Sequence, residues 1–172
     1  MSSPPTSDVI CGRRGKSAAA SSVLDDMTDP YDLNRFVRAQ DESYQRALTE
    51  LERGRKQSHW MWFIFPQLEG LGSSPISKFY SIKSEDEARA YLAHPVLGAR
   101  LTQCAEAILA VDGKSATAIL GFPDDLKLRS CATLFAHVAP PGSVFERVLD
   151  KFYSGERDPA TLHLLASHRA PD

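Results

Sequence analysis

The sequence predicts an all-α protein, a single compact multihelical domain behind a disordered N-terminal leader. From residue 30 onward, apolar residues recur at the spacing of a helical face, and Ser, Asp or Pro precedes most of these runs. No stretch combines a sustained alternation of apolar and polar residues with a hairpin turn, so strands are not expected. The 172 residues suit one domain, which we place at residues 30–167 with a short tail at residues 168–172.

The N-terminal segment differs in composition from the rest of the chain. Residues 1–29 are rich in Ser, Ala, Pro and Asp and contain no aromatic residue. Such a segment buries too little apolar surface to offset the entropy of ordering it, so it is predicted to be disordered. Three basic residues leave an organelle-targeting role open as an alternative, although Asp8 interrupts them and no apolar secretory core is present: Arg13, Arg14 and Lys16.

Capping signals place the helices in order along the domain. Asp29 and Pro30 are predicted to cap and begin a first helix. A second helix is predicted to follow it and to end near Gly54. Residues 60–66 are apolar on all sides and form either a buried strand-like segment or a short core helix. The later helices are expected to begin where capping residues precede apolar stripes, at Ser84, Pro95, Ser115, Asp124 or Asp125, Ser143 and Asp158.

Composition removes several classes of protein. Twenty basic and 22 acidic side chains leave no positive surplus for nucleic-acid phosphates, so no nucleic-acid partner is expected. No apolar run approaches the roughly 20 residues of a membrane span. The histidines lack the spacing of metal ligands, so neither a metal nor a cofactor is expected. The cysteines share no CxxC spacing and predict reduced thiols in an intracellular, cytoplasmic protein: Cys11, Cys104 and Cys131.

The aromatic run at residues 60–66 is the most unusual feature of the sequence. It holds both tryptophans and is flanked by polar residues and by a glycine-containing loop. One interpretation is that the run is simply core, because large aromatic side chains dominate burial. The other is a ligand pocket with an aromatic floor formed by Trp62 and Phe65, since ligand sites combine apolar walls with a few polar groups.

The loop after this run is a weak candidate for a phosphate site. Residues 70–74 read GLGSS, but the Lys-Ser or Lys-Thr pair of a phosphate-binding loop is missing and Pro75 follows, so a plain turn is favoured. Ser77, Lys78 and Tyr80 lie just beyond the loop and could contact an anion.

Two histidines and one arginine are the candidates for chemistry. His59 precedes the aromatic run, and His94 precedes Pro95. Either histidine could act as a general acid or base, although His94 also suits a helix entry. Arg100 follows one turn into the next helix, where it could hold a carboxylate or phosphate or extend along apolar surface.

Several strings, taken in order, resemble one protein family. They are SHWMWFIFPQ at 58–67, AYLAHPVLGARL at 90–101, KLRS at 127–130 and FYSG at 152–155. The chain resembles the domain of unknown function 1810 family over nearly all of residues 30–167. The resemblance implies a small, single, mainly helical domain without an established activity. Some members are labelled calpastatin, but the short inhibitory repeats of a calpain inhibitor do not occur in this sequence.

Three hypotheses follow for the function. The first is a pocket for a small anionic or nucleotide-like ligand, with a histidine as the general base if hydrolysis occurs; whether the protein is an enzyme stays open. The predicted ligand-binding residues are Trp62, Phe65, Gln67, Ser77, Tyr80, Arg100 and Lys127. The second hypothesis is a non-catalytic protein-interaction module, and the third and weakest is a protease inhibitor. Convergence of His59, His94 and Arg100 beside Trp62 is the arrangement that the first hypothesis expects.

Overall fold

A computed structural model describes residues 29–169 of the chain. The chain divides into two units, residues 1–32 and residues 33–172. The described part of the first unit is a turn in which Asp32 N donates to Asp29 O. The predicted leader lies outside the described residues except for Asp29.

The second unit is helical, which confirms the predicted class. Within residues 33–169 the only β-type pairing is an isolated parallel bridge between Leu68 and Ile82. No helix in this part of the chain combines the length and the apolar composition needed to cross a membrane. The helices are α1 (Asn34–Glu52), α2 (Met61–Ile64), α3 (Pro75–Phe79), α4 (Glu85–Ala93), α5 (Leu97–Leu109), α6 (Ala116–Leu120), α7 (Asp124–Val138), α8 (Val144–Tyr153) and α9 (Pro159–Arg169).

The first helix is longer than the sequence pattern predicts. The two helices predicted before Gly54 are a single helix, α1, which begins after Leu33 rather than at Pro30. No glycine or proline interrupts residues 31–53, so the backbone has no reason to break between them. The helix ends where Gly54 adopts a φ of +67°.

Most predicted helix caps are confirmed. Four capping side chains accept a hydrogen bond from the backbone N–H three residues later: Ser84, Ser115, Ser143 and Asp158. The expected Asp124 or Asp125 cap is wrong, because Pro123 occupies the N-cap position of α7 and both carboxylates lie in the first turn. Negative charge there still favours the helix dipole.

The aromatic run forms a short helix, α2, at the centre of the core. Trp60 is 1% exposed and its indole N–H donates to Glu50 of α1. Tyr91 of α4 lies between two further rings, with its ring centre 5.1 Å from that of Phe36 and 5.4 Å from that of Phe135. Aromatic contacts therefore join α1, α4 and α7 in the core, and the Trp60–Glu50 hydrogen bond ties the start of α2 to α1.

Candidate functional site

One cavity of about 270 Å³ lies beside the aromatic run. Its wall comes from α2, from residues 67–81 including α3, and from the N-terminal parts of α7 and α9 with the residues that precede them. Five of the predicted ligand-binding residues line it: Trp62, Gln67, Ser77, Tyr80 and Lys127. The apolar part of the wall is formed by Leu68, Leu71, Pro123, Leu126 and Ala160.

The parallel bridge and one close contact shape the first wall. Gln67 O accepts from Ile82 N at 2.8 Å, and Glu69 N donates to Ile82 O at 2.8 Å, which brings the two ends of the loop together. Within the loop, a Cβ on Gly72 would lie 2.6 Å from Cβ of Ser77. Only glycine allows the loop to pack this closely against α3 at the cavity.

A buried ion pair holds the segment that carries Tyr80. Arg35 of α1 donates to the carbonyl oxygens of Phe79 and Ser81, on either side of Tyr80, at 2.9 Å in each case. The same guanidinium lies 2.6 Å from Glu87 Oε1 of α4, and both side chains are buried. Tyr80 is thus positioned by residues that are distant in sequence and do not themselves line the cavity.

Lys127 supplies the cation of the cavity. Its ammonium lies 5.0 Å from the centre of the Trp62 ring, within the range of a cation–π contact. It also lies 3.1 Å from Asp124 Oδ1, while Lys56 Nζ lies 3.0 Å from Asp124 Oδ2. Two ammonium groups therefore share one carboxylate, which leaves this cluster with a net positive charge.

Asp158 also lines the cavity, and sequence reasoning missed this role. Its Oδ2 accepts from Thr161 N at 3.0 Å, Thr161 Oγ1 at 2.6 Å and Ser130 Oγ at 3.2 Å. Ser130 is a further lining residue that was not predicted. The sequence signal at Asp158 was its capping position before Pro159, which indicates a helix start and carries no information about a cavity.

Several polar groups of the lining have no protein partner. Among residues 29–169, nothing pairs by a hydrogen bond with the Trp62 indole N–H, the Gln67 side-chain amide, the Tyr80 hydroxyl or Asp158 Oδ1. All four residues are half-buried and line one cavity, so their open donors and acceptors can contact a ligand there.

The predicted chemical residues do not converge. His59 is exposed in a separate depression with Ser43 and Arg46. His94 Nδ1 accepts from the backbone N–H of Val96 at 3.1 Å and of Leu97 at 3.2 Å, so the ring caps the start of α5, as its helix-entry interpretation predicts.

Arg100 and Phe65 also lie away from the cavity. Arg100 contacts Asp41 at 3.4 Å and stacks on Tyr44. Phe65 is 2% exposed and packs against Trp60 in the core, so Trp62 alone provides the aromatic floor expected of the two. The arrangement that combined both histidines and Arg100 beside Trp62 is therefore not present.

Other reactive groups of the described chain are structural. Burial raises the pKa of Cys104 to about 12 and that of Cys131 well above its usual value, so neither thiol is a nucleophile. Residues 29–169 contain no group of three or more His, Cys, Asp or Glu side chains that could hold a metal ion.

Comparison with known proteins identifies the family. The chain is similar to a protein described as the conserved hypothetical protein Rv1873 from Mycobacterium tuberculosis, known from a crystal structure, with 51% identity and a TM-score of 0.79. The similarity covers 80% of this chain and 99% of that one. No curated protein matches the chain at a significant level. The family model described as "Protein of unknown function (DUF1810)" matches residues 30–165, and the chain belongs to this family.

Proposed function

We propose that this protein binds a small aromatic or heteroaromatic anion in the Trp62 cavity. The observation that supports the proposal most is the set of four unpaired polar groups around one cavity, from Trp62, Gln67, Tyr80 and Asp158. All four residues are half-buried, so a ligand with matching groups can replace the water that these groups otherwise contact.

The charges around the cavity favour an acidic group on the ligand. Lys127 uses one of its three donors on Asp124, so others remain for a carboxylate or a phosphate. Asp158 carries a negative charge, opposite in sign to that of Lys127. Its Oδ2 accepts from Thr161 N in the first turn of α9. That carboxylate is stabilised by the helix and competes weakly with the ligand for Lys127.

The size of the cavity limits the enclosed part of the ligand to a single small ring system. Ligand pockets typically span roughly 300–1,000 Å³, and this cavity, at about 270 Å³, lies just below that range. A ring packed beside Trp62, with its acidic group near Lys127, matches this volume. A dinucleotide is too large to be enclosed.

The proposal concerns binding rather than histidine-catalysed hydrolysis. Neither His59 nor His94 lines the cavity, and the His94 ring nitrogen is already used by the start of α5. A general base has to reach the proton that it removes, so these two residues do not provide one at this site.

The proposal is tested by thermal unfolding of the full chain with a panel of adenosine 5′-monophosphate, uridine 5′-monophosphate and 4-aminobenzoate. A ligand that binds the native state raises the melting temperature. We expect at least one probe to do so, Lys127→Met to abolish the shift, and Lys78→Met to preserve it. Lys78 is the matched control because it is exposed and does not line the cavity. A panel without any shift, or a Lys127→Met variant that responds like the natural chain, contradicts the proposal.

A protein-interaction module is the second candidate, and a separate observation favours it. Large exposed apolar side chains lie on the segments that also supply the cavity wall, and Phe122, beside the lining residue Pro123, is 76% exposed. The others are Ile76, Phe79, Leu126 and Leu162. A Phe122→Ser variant that keeps the thermal shift of the panel would separate this surface from the small-molecule site.

A further inference from the structure

We infer that Asp158 selects the ligand, so that the bound aromatic acid also carries an N–H or O–H group that donates to Asp158 Oδ1. This inference rests on the proposed function and names the class of ligand more narrowly: amino- or hydroxy-substituted aromatic acids. The inference follows from the hydrogen bonds that the polar lining residues form within the protein, because these bonds determine which atoms remain available to a ligand.

The Asp158 carboxylate is held in one orientation. Thr161 donates to Oδ2 through its backbone N–H and its hydroxyl, and Ser130 donates to the same oxygen. The backbone N–H of Asp158 donates to Thr133 Oγ1 at 2.8 Å, which ties the residue to α7. A group fixed from two helices is preorganised and loses little freedom when a ligand binds.

The other oxygen of the same carboxylate is open. Within residues 29–169 no group donates to Asp158 Oδ1, although an ionised carboxylate can accept about four hydrogen bonds. An ionised carboxylate has no proton to give. A ligand that places an acceptor or a fluorine atom beside Oδ1 leaves it unpaired, whereas an amine or a hydroxyl group satisfies it.

Three serine hydroxyls of the lining have the same preference. Each has its proton committed within the protein: Ser77 to Ser74 O, Ser81 to Lys78 O, and Ser130 to Leu126 O and Asp158 Oδ2, which share its one proton. What these hydroxyls offer a ligand is therefore their lone pairs. Together with Asp158 they are acceptors of the lining, while Lys127 and the Trp62 N–H are donors.

The two sets of groups impose complementary demands on one molecule. The donors bind an acidic group, and the acceptors bind a hydrogen-bond donor on the same ring. A site built to pair a substrate donor discriminates strongly against an analogue without it. Because Asp158 is half-buried rather than fully enclosed, we expect the discrimination at this position to be roughly tenfold to a hundredfold in affinity.

Calorimetric titration of the full chain with 3- and 4-aminobenzoate and with 3- and 4-fluorobenzoate tests the inference. The two series share the ring and the acid and differ in the donor. We expect the better aminobenzoate to bind at least tenfold more tightly than its fluoro counterpart. In Asp158→Asn the side chain still caps α9, since Asn and Asp are equivalent caps, but an amide replaces the open oxygen. We expect the preference to fall below threefold in this variant.

The exposed Asp150 provides the matched control, and Asp150→Asn should retain the full preference. Equal binding of the two series by the natural chain overturns the inference while leaving the proposed function intact. A preference that survives in a folded Asp158→Asn variant, judged by its circular dichroism, also overturns it. If no compound of either series binds, the aromatic-acid ligand itself is wrong, and the inference fails with it.

Discussion

The ammonium of Lys127 lies 5.0 Å from the centre of the Trp62 ring, although the two residues are far apart in the sequence. Trp62 is the half-buried member of a run whose neighbours Met61 and Phe63 are buried. The contact therefore marks the point at which the aromatic core opens onto the cavity. It also separates the two tryptophans by role, since Trp60 faces the interior and Trp62 faces the site.

Truncation of the two tryptophans should have unequal effects on stability. Trp60→Ala removes a buried ring and the partner of Glu50, and we expect it to lower the free energy of unfolding by about 3–5 kcal/mol. Trp62→Ala enlarges a cavity that is already open, so we expect a loss below about 2 kcal/mol. Urea unfolding of both variants without ligand measures the difference. Equal losses would show that Trp62 belongs to the core.

Removing the charge of Glu87 should destabilise the fold. Glu87→Gln keeps an acceptor for Lys83 N but removes the negative charge that faces the buried Arg35 guanidinium. Breaking a buried ion pair on one side typically costs about 3–5 kcal/mol, and we expect the lower end of this range because Gln is isosteric. Glu69→Gln, at an exposed position, serves as the control. A Glu87→Gln variant as stable as this control would contradict the prediction.

The Glu50 carboxylate should make stability fall in acid. Burial raises its pKa, but hydrogen bonds from Ser58, Gln57 and Trp60 outweigh burial and lower the pKa from 4.5 to about 2. The unfolded chain therefore binds a proton at a higher pH than the folded one does. The stabilisation is fully present above pH 4.5 and is lost as the pH falls toward 2.

Comparison of the natural chain with Glu50→Gln isolates this effect from the other acidic residues. We expect the difference between their free energies of unfolding to be constant above pH 4.5 and to shrink below it. Urea unfolding across this range provides the measurement. A difference that does not change with pH would show that Glu50 has an ordinary pKa in the folded protein.

The two buried thiols should be inert while the protein is folded. Burial raises the pKa of both Cys104 and Cys131, so the reactive thiolate is scarce near pH 8. In a Cys11→Ser background, we expect no reaction with Ellman's reagent in buffer and two reactive thiols per chain in guanidinium chloride. Rapid labelling of the folded variant would mean that one of these cysteines is accessible.

Local features of the sequence were predicted with most success. A serine at position 84, 115 or 143 caps its helix by accepting from a backbone N–H three residues later, an interaction that needs no distant residue. The same local reasoning was wrong at Asp124, because Pro123 occupies the N-cap position and Asp124 is already the first residue of α7. It also placed His94 correctly at a helix entry.

The candidate site was harder to predict, because the spacing of residues does not report which side chains meet. Trp62, Gln67 and Tyr80 were identified as polar or aromatic residues near one another in the sequence, and they do line one cavity. Arg100 looked equally suitable but contacts Asp41 of α1 and does not line the cavity. Asp158 was read only as a cap, since nothing in its own neighbourhood indicates that α9 begins beside α3 and α7.

Local patterns in the sequence were enough to predict the helical class, most helix starts and the family, because caps, apolar periodicity and ordered motifs act over a few residues at a time. Which polar groups remain open depends instead on how distant helices pack. Hydrogen bonds within the protein occupy Asp158 Oδ2, Arg35 and His94 Nδ1. Asp158 Oδ1 and the Tyr80 hydroxyl have no such partner among residues 29–169. That difference depends on how α1, α3, α7 and α9 pack together, and a hydrogen bond exists only where packing brings its two partners within reach.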